Sequence, residues 1–186
     1  MAERHNYPAA LSPLQAYELR CNDLLDPMGV DSLPPLLSWK LRGDGQNRHL
    51  TAWQIQAMAA GHAELLWDSG KILSDRTFQV PYGGPAPRSR ERIQWQVRSW
   101  DERGEPGEWS KPACFETGLL QESDWQGKWV GTPKGGTDID HPVPAPLFRK
   151  EIPFPSPIVS ARAHVIGLGY HELYINGRKA DDTVLR

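Results

Sequence analysis

Apolar and polar residues alternate at period two along most of the first two thirds of this chain. Leu37, Trp39 and Leu41 alternate with Ser38 and Lys40, directly after Pro34-Pro35. Trp53, Ile55 and Ala57 alternate with Gln54 and Gln56, and Ile93, Trp95 and Val97 with Gln94, Gln96 and Arg98. Phe78 and Val80 precede the turn signal Tyr82-Gly83-Gly84-Pro85, while Ala113, Phe115 and Thr117 close the series; Tyr17 to Cys21 is a shorter candidate. Successive side chains of a strand point to opposite faces, so such runs bury one face and wet the other. Short strands punctuated by turn residues predict an all-β sandwich. Met58 to Trp67 lacks β-branched residues and fits a helical turn or a loop equally well.

The pattern changes near Leu119 to Trp125. Lys134 to Pro146, rich in Gly, Pro and Asp, reads as a long surface loop. Strands are predicted again at Leu147 to Ile152, at Val159 to Val165 and at Glu172 to Asn176. Asn176-Gly177 is a strong hairpin signal, because a type I′ turn needs positive φ at both central residues. A hairpin alone is marginally stable. Nine residues follow Gly177, so the chain reads as the front of a larger protein. The organisation expected is an N-terminal arm at 1–16, a β-sandwich at 17–118 and the beginning of a second β-domain at 119–186.

Composition narrows the picture. With 186 residues there is enough chain for a real core, and eight Trp offset a modest 39% of hydrophobic residues. Seventeen Gly and seventeen Pro favour turns over helices. The net charge of −2 comes from interspersed signs with no basic stripe, so nucleic acid is not an expected partner. No apolar run has the length of a membrane span or of a signal-peptide core, and Cys21 and Cys114 are the only cysteines. A cytoplasmic, membrane-free protein with reduced thiols is expected.

Chemistry candidates are few. Asp44, Asp68, Asp75, Asp101, Asp124, Asp138 and Asp140 sit in predicted turns, where Asp bonds its own backbone. His49, His62, His141, His164 and His171 lack metal-ligand spacing, and His164 with Arg162 reads as a solvated pair on a strand's outer face. Asp138, Asp140, Asp181 and Asp182 could offer oxygens to calcium, but a solvated acidic loop is the preferred reading. The Gly-rich stretches at 83–84, 135–136 and 167–169 open no helix and are not phosphate loops. No catalytic, cofactor-binding or metal-binding residue is therefore assigned, and no cofactor is expected. Trp39, Trp53 and Trp95 belong to the core. Trp100, Trp109, Trp125 and Trp129 lie at mixed positions, suited to a seam against further domains or, second, to stacking on sugar rings. Arg98 is expected to stack on Trp109 on the outer face.

Several segments taken in order resemble the N-terminal region of bacterial α-L-rhamnosidases: LRCNDLLDPMGVD with PPLLSW, WDSGKI with QVPYGG, SRERIQWQVRSWDERGEPGEWS, FETGLLQESDWQGKWV, then PAPLFRKEI with GLGYHELYINGRK. The resemblance implies a fibronectin type III-like sandwich followed by the start of a jelly-roll accessory domain. It further implies a non-catalytic scaffold whose partners are the downstream jelly-roll and catalytic (α/α)₆-barrel domains. A parent protein of this kind would hydrolyse terminal α-L-rhamnosides with inversion, using two carboxyl groups; the acidic residues that do so have no counterparts here. The alternative is a stand-alone sandwich that binds carbohydrate or protein. The chain departs from the resemblance at Ile93-Gln94, where aromatic residues are common and a tyrosine could make the corner hydrogen bond of related sandwiches. It departs again at Val184-Leu185-Arg186, where a truncation, a shifted reading frame or an excised domain would each account for the end.

Overall fold

A computed structural model describes residues 12–61, 64–132 and 145–180. The expected arm through Leu11, His62, His141, the loop aspartates Asp138 and Asp140, and Asp181 and Asp182 lie outside the described residues. The chain divides into two compact units, Met1–Gln126 and Gly127–Arg186.

The first unit is a β-sandwich. Its strands are β1 (Gln15–Cys21), β2 (Met28–Val30), β3 (Leu36–Arg42), β4 (Leu50–Ala59), β5 (Leu65–Asp68), β6 (Ile72–Leu73), β7 (Val80–Pro81), β8 (Arg92–Asp101) and β9 (Ala113–Thr117). One sheet has the order β1-β3-β7; the other has the order β2-β9-β8-β4-β5, with β6 also paired to β4. The alternation seen in sequence aims the inner faces of β4 and β8 at the smaller sheet. Ile55 lies opposite Val97 and Ala57 opposite Trp95, all four fully buried. Trp39 of β3 meets Trp53 of β4 edge-on, with ring centroids 5.8 Å apart, so the tryptophans join the two sheets. Tyr82 continues the join, edge-on to Trp67 at 5.2 Å and to Phe115 at 5.8 Å. Ile93, where an aromatic residue was the resemblance's norm, is itself buried core.

Three local features depart from the sequence reading. The described residues of Met58 to Trp67 hold no helix. β4 runs on through Met58 and Ala59, and Leu65–Asp68 pairs back onto it, because the edge of β4 offers each backbone group a partner that a short isolated helix lacks. Phe78 is exposed and lies outside β7: Gln79 takes φ +50°, which flips the chain between Phe78 and Val80. Leu14 and Ala16, read as arm, are buried, and β1 begins at Gln15. The close approach here needs a glycine: a Cβ on Gly107 would lie 2.1 Å from the Leu14 carbonyl oxygen.

After β9 the chain makes a 3₁₀ turn at Glu122–Asp124 and stays tied to the first unit. Leu120 N–H donates to Ser89 Oγ at 2.8 Å, Ser89 donates to the Asp124 carboxylate, and Arg90 reaches the Asp124 carbonyl.

The second unit builds much less. Its strands are β10 (Tyr174–Ile175) and β11 (Arg178–Lys179), joined by Asn176 at φ +50° and Gly177 at φ +78°, the expected hairpin. The strands expected at Leu147 to Ile152 and Val159 to Val165 do not form, and with them goes the strand face assigned to Arg162 and His164. Alternation alone does not make a strand; a neighbouring strand must take up the backbone groups. Among the described residues from 127 to 180 none is buried.

Candidate functional site

The aspartates singled out in sequence do not gather. Asp44 and Asp75 are exposed on separate loops. Asp68, Asp101 and Asp124 each accept a hydrogen bond from a nearby backbone N–H, those of Gly70, Arg103 and Gln121. His49 and His171 are exposed and far apart in sequence, and no group of three or more metal-ligating side chains occurs among the described residues.

Asp101 organises one end of the sandwich. Fully buried, its carboxylate pairs with Arg48 at 2.9 Å and Arg103 at 2.6 Å and accepts from the backbone of Arg103 and Glu105. Arg48, itself buried, also holds Glu102 at 2.8 Å and the carbonyls of Ser12 and Asp44. Burial pushes the Asp101 carboxyl up, but the Arg103 hydrogen bond and the two backbone donors outweigh it and hold it below its usual value. Every oxygen is committed to loops, so the cluster fastens them and leaves nothing for a substrate.

An open cleft of about 340 Å³ is lined by Leu66, Tyr82, Pro85, Ala86 and Ile93 together with the charged Arg88 and Glu91. The Tyr82 hydroxyl is closed off from water and has no partner among the described residues. Burial, with the Glu91 charge, pushes the phenol up to about 12.

The richest arrangement is on the outer face of β4 and β8. Gln54 lies opposite Arg98, Gln56 opposite Gln96 and Met58 opposite Gln94. The Arg98 guanidinium sits over the Trp109 ring at 4.8 Å and over the Trp100 ring at 4.9 Å, and Lys71 covers Trp100 at 4.8 Å. The expected Arg98–Trp109 stack is therefore present, extended by a second indole. Trp109 reaches it because its segment runs back beside β8, with Gly107 N–H donating to Ser99 and Ser110 N–H to Val97. The face is also wired together. Arg98 donates twice to Gln54 Oε1, at 2.9 and 2.7 Å; Gln54 Nε2 donates to Asp68 at 2.6 Å. Gln56 donates to the other Asp68 oxygen at 2.8 Å and accepts from Gln96 at 3.1 Å. Burial pushes the Asp68 carboxyl up, but the Gln56, Gln54 and Gly70 hydrogen bonds together outweigh it and keep it below its usual range.

Trp100, placed at a mixed position in sequence, is buried on this outer face. Its signal was the parity of β8: it shares a face with Arg98, not with Trp95. Trp39, Trp53 and Trp95 are core as expected, and Trp125 and Trp129 are exposed at 40% and 67%. The network uses polar side chains throughout and holds no nucleophile paired to a base, so this face suits binding rather than bond-breaking.

Comparison with known proteins agrees with this architecture. An alpha-L-rhamnosidase of Streptomyces avermitilis is 33% identical over 181 residues, taking in 86% of this chain and 18% of that protein. A crystal structure of Streptomyces avermitilis alpha-L-rhamnosidase complexed with L-rhamnose superposes with a TM-score of 0.60 at 39% identity, over 64% of this chain and 12% of that one. The alpha-L-rhamnosidase from Dictyoglumus thermophilum gives 0.59 at 32% identity, over 62% and 14%. The chain thus spans about a fifth of the length of the curated relatives it matches. The family model for the Rha78A-like, N-terminal immunoglobulin domain matches residues 16–121, the span of the sandwich. Sandwich topology, core and family match coincide over that span, and the chain belongs to the Rha78A-like N-terminal immunoglobulin domain family.

Proposed function

We propose that this chain is the non-catalytic N-terminal scaffold of an α-L-rhamnosidase-like glycoside hydrolase. The hydrolase would release terminal α-L-rhamnose by an inverting, two-carboxylate mechanism. The reading is carried by the match of 86% of this chain to 18% of an alpha-L-rhamnosidase, through its N-terminal family domain. The scattering of Asp44, Asp68, Asp75, Asp101 and Asp124 supports a non-catalytic role. Residues 119–186 are, on this reading, the opening of a jelly-roll accessory domain, and the partners are that domain and a catalytic barrel. The exposed apolar residues of the second unit, including Leu147, Phe154, Val159 and Leu168, support such partners. The free thiols of Cys21 and Cys114 support a cytoplasmic location. The purified chain is expected to leave a chromogenic α-L-rhamnoside unhydrolysed. Turnover that a point substitution in this chain abolishes would overturn the proposal.

A further inference from the structure

The outer face of β4 and β8 has features that scaffolding does not require. Exposed sheet faces normally carry mobile, independently hydrated side chains. Here Gln96, Gln56, Asp68, Gln54 and Arg98 form one continuous chain of hydrogen bonds, closed at one end by the two indoles. Such a chain fixes rotamers before any ligand arrives, which lowers the entropy cost of binding. It also leaves groups unspent. Among the described residues the Gln94 carboxamide has no hydrogen-bond partner, Gln96 keeps its carbonyl oxygen and Arg98 keeps Nη1. Gln94, Gln96 and Arg98 follow one another on one strand face at steps of about 7 Å. Donors and acceptors thus recur along a line that ends at the half-buried Trp109 ring.

The chemistry of that line selects its occupant. A protein partner is anchored by apolar or aromatic side chains in a desolvated centre; the centre here is amide and ionic. A polyanion would meet the Asp68 carboxylate. A neutral polyhydroxylated chain matches each element, since every hydroxyl both donates and accepts, and the C–H face of a sugar ring can lie on an indole. We propose that the outer face of the six-stranded sheet, through Gln54, Gln56, Gln94, Gln96, Arg98 and Trp109, binds a neutral oligosaccharide. The proposal does not rest on the scaffold reading, and either can fail without the other.

The test is titration of the whole chain with free L-rhamnose and with neutral oligosaccharides of increasing length, one series ending in L-rhamnose and one of glucose. Side-chain amide and indole NMR signals are followed. The expected result is saturable shifts confined to these glutamines and Trp109, with affinity rising with sugar length. Trp109→Ala should weaken binding by about tenfold. Gln94→Ala, which removes a side chain without an internal partner, should weaken it several-fold and leave the melting temperature unchanged. Absence of shifts at millimolar sugar, shifts elsewhere on the chain, or full affinity in Gln94→Ala and Trp109→Ala together would each overturn the proposal.

Discussion

The two units carry similar patterns and meet different fates. In the first, Ile93, Trp95 and Val97 alternate with polar residues and are all buried. In the second, Val159, Ala161, Ala163 and Val165 alternate just as cleanly, yet Val159 is fully exposed and Val165 is 48% exposed. The difference lies in partners. β8 has β4 on one side and β9 on the other, with a facing sheet to cover it. The 159–165 segment forms no strand and joins no sheet among the described residues. An apolar stripe becomes a core only when a second layer removes it from water.

The broadest way to break this comparison is to separate the units. Residues 12–126 are expected to melt cooperatively alone, while residues 127–186 show no transition. Limited proteolysis should trim the chain back towards Gln126, and a protected fragment covering 127–186 would contradict this.

Single residues should repeat the contrast. Trp95 is fully buried and its truncation to alanine should cost about 3–5 kcal/mol. Phe154, 58% exposed, should cost less than about 0.5 kcal/mol on the same change. Chemical denaturation of both variants measures the pair, and equal losses would mean that the second unit has a core after all.

The Asp101 cluster gives the next effect. Asp101→Ala removes the buried carboxylate that Arg48 and Arg103 share, leaving Arg48 only Glu102 as counter-charge, and should cost about 3 kcal/mol. Because the folded carboxyl lies below its unfolded value of about 4, its contribution is complete above that pH. It is lost as pH falls from about 4 through the lower folded value. The urea midpoint of the parent should fall across that acid window, and that of Asp101→Asn should fall less.

The smallest effect concerns the outer face. The Arg98–Trp109 stack should contribute about 0.5–1 kcal/mol. A double-mutant cycle with Arg98→Ala and Trp109→Ala measures it, and a coupling near zero would mean that the rings and guanidinium are mere neighbours.

Much of the first unit was legible in sequence because strand parity is a local property. The faces of β4 and β8, the core tryptophans and the Arg98–Trp109 stack follow from residue parity and one turn. The Asn176-Gly177 hairpin was legible for the same reason: both φ values are set within two residues. Segments whose state depends on a distant neighbour were not. Met58–Ala59 and Leu65–Trp67 became strand because β4 offers an edge, and Gln79 broke the expected run at Phe78 while its N–H donated to Ser38 Oγ of β3.

Sequence alone settled the all-β class, the faces of β4 and β8 and the family, since these rest on alternation, turn chemistry and segment order. Tertiary structure alone decided which alternating runs became strands, and it buried Trp100 on an outer face. It also assembled the amide network from β4, β5 and β8. Backbone hydrogen bonds and side-chain packing are satisfied between strands distant in the chain, so no single stretch of sequence contains the answer.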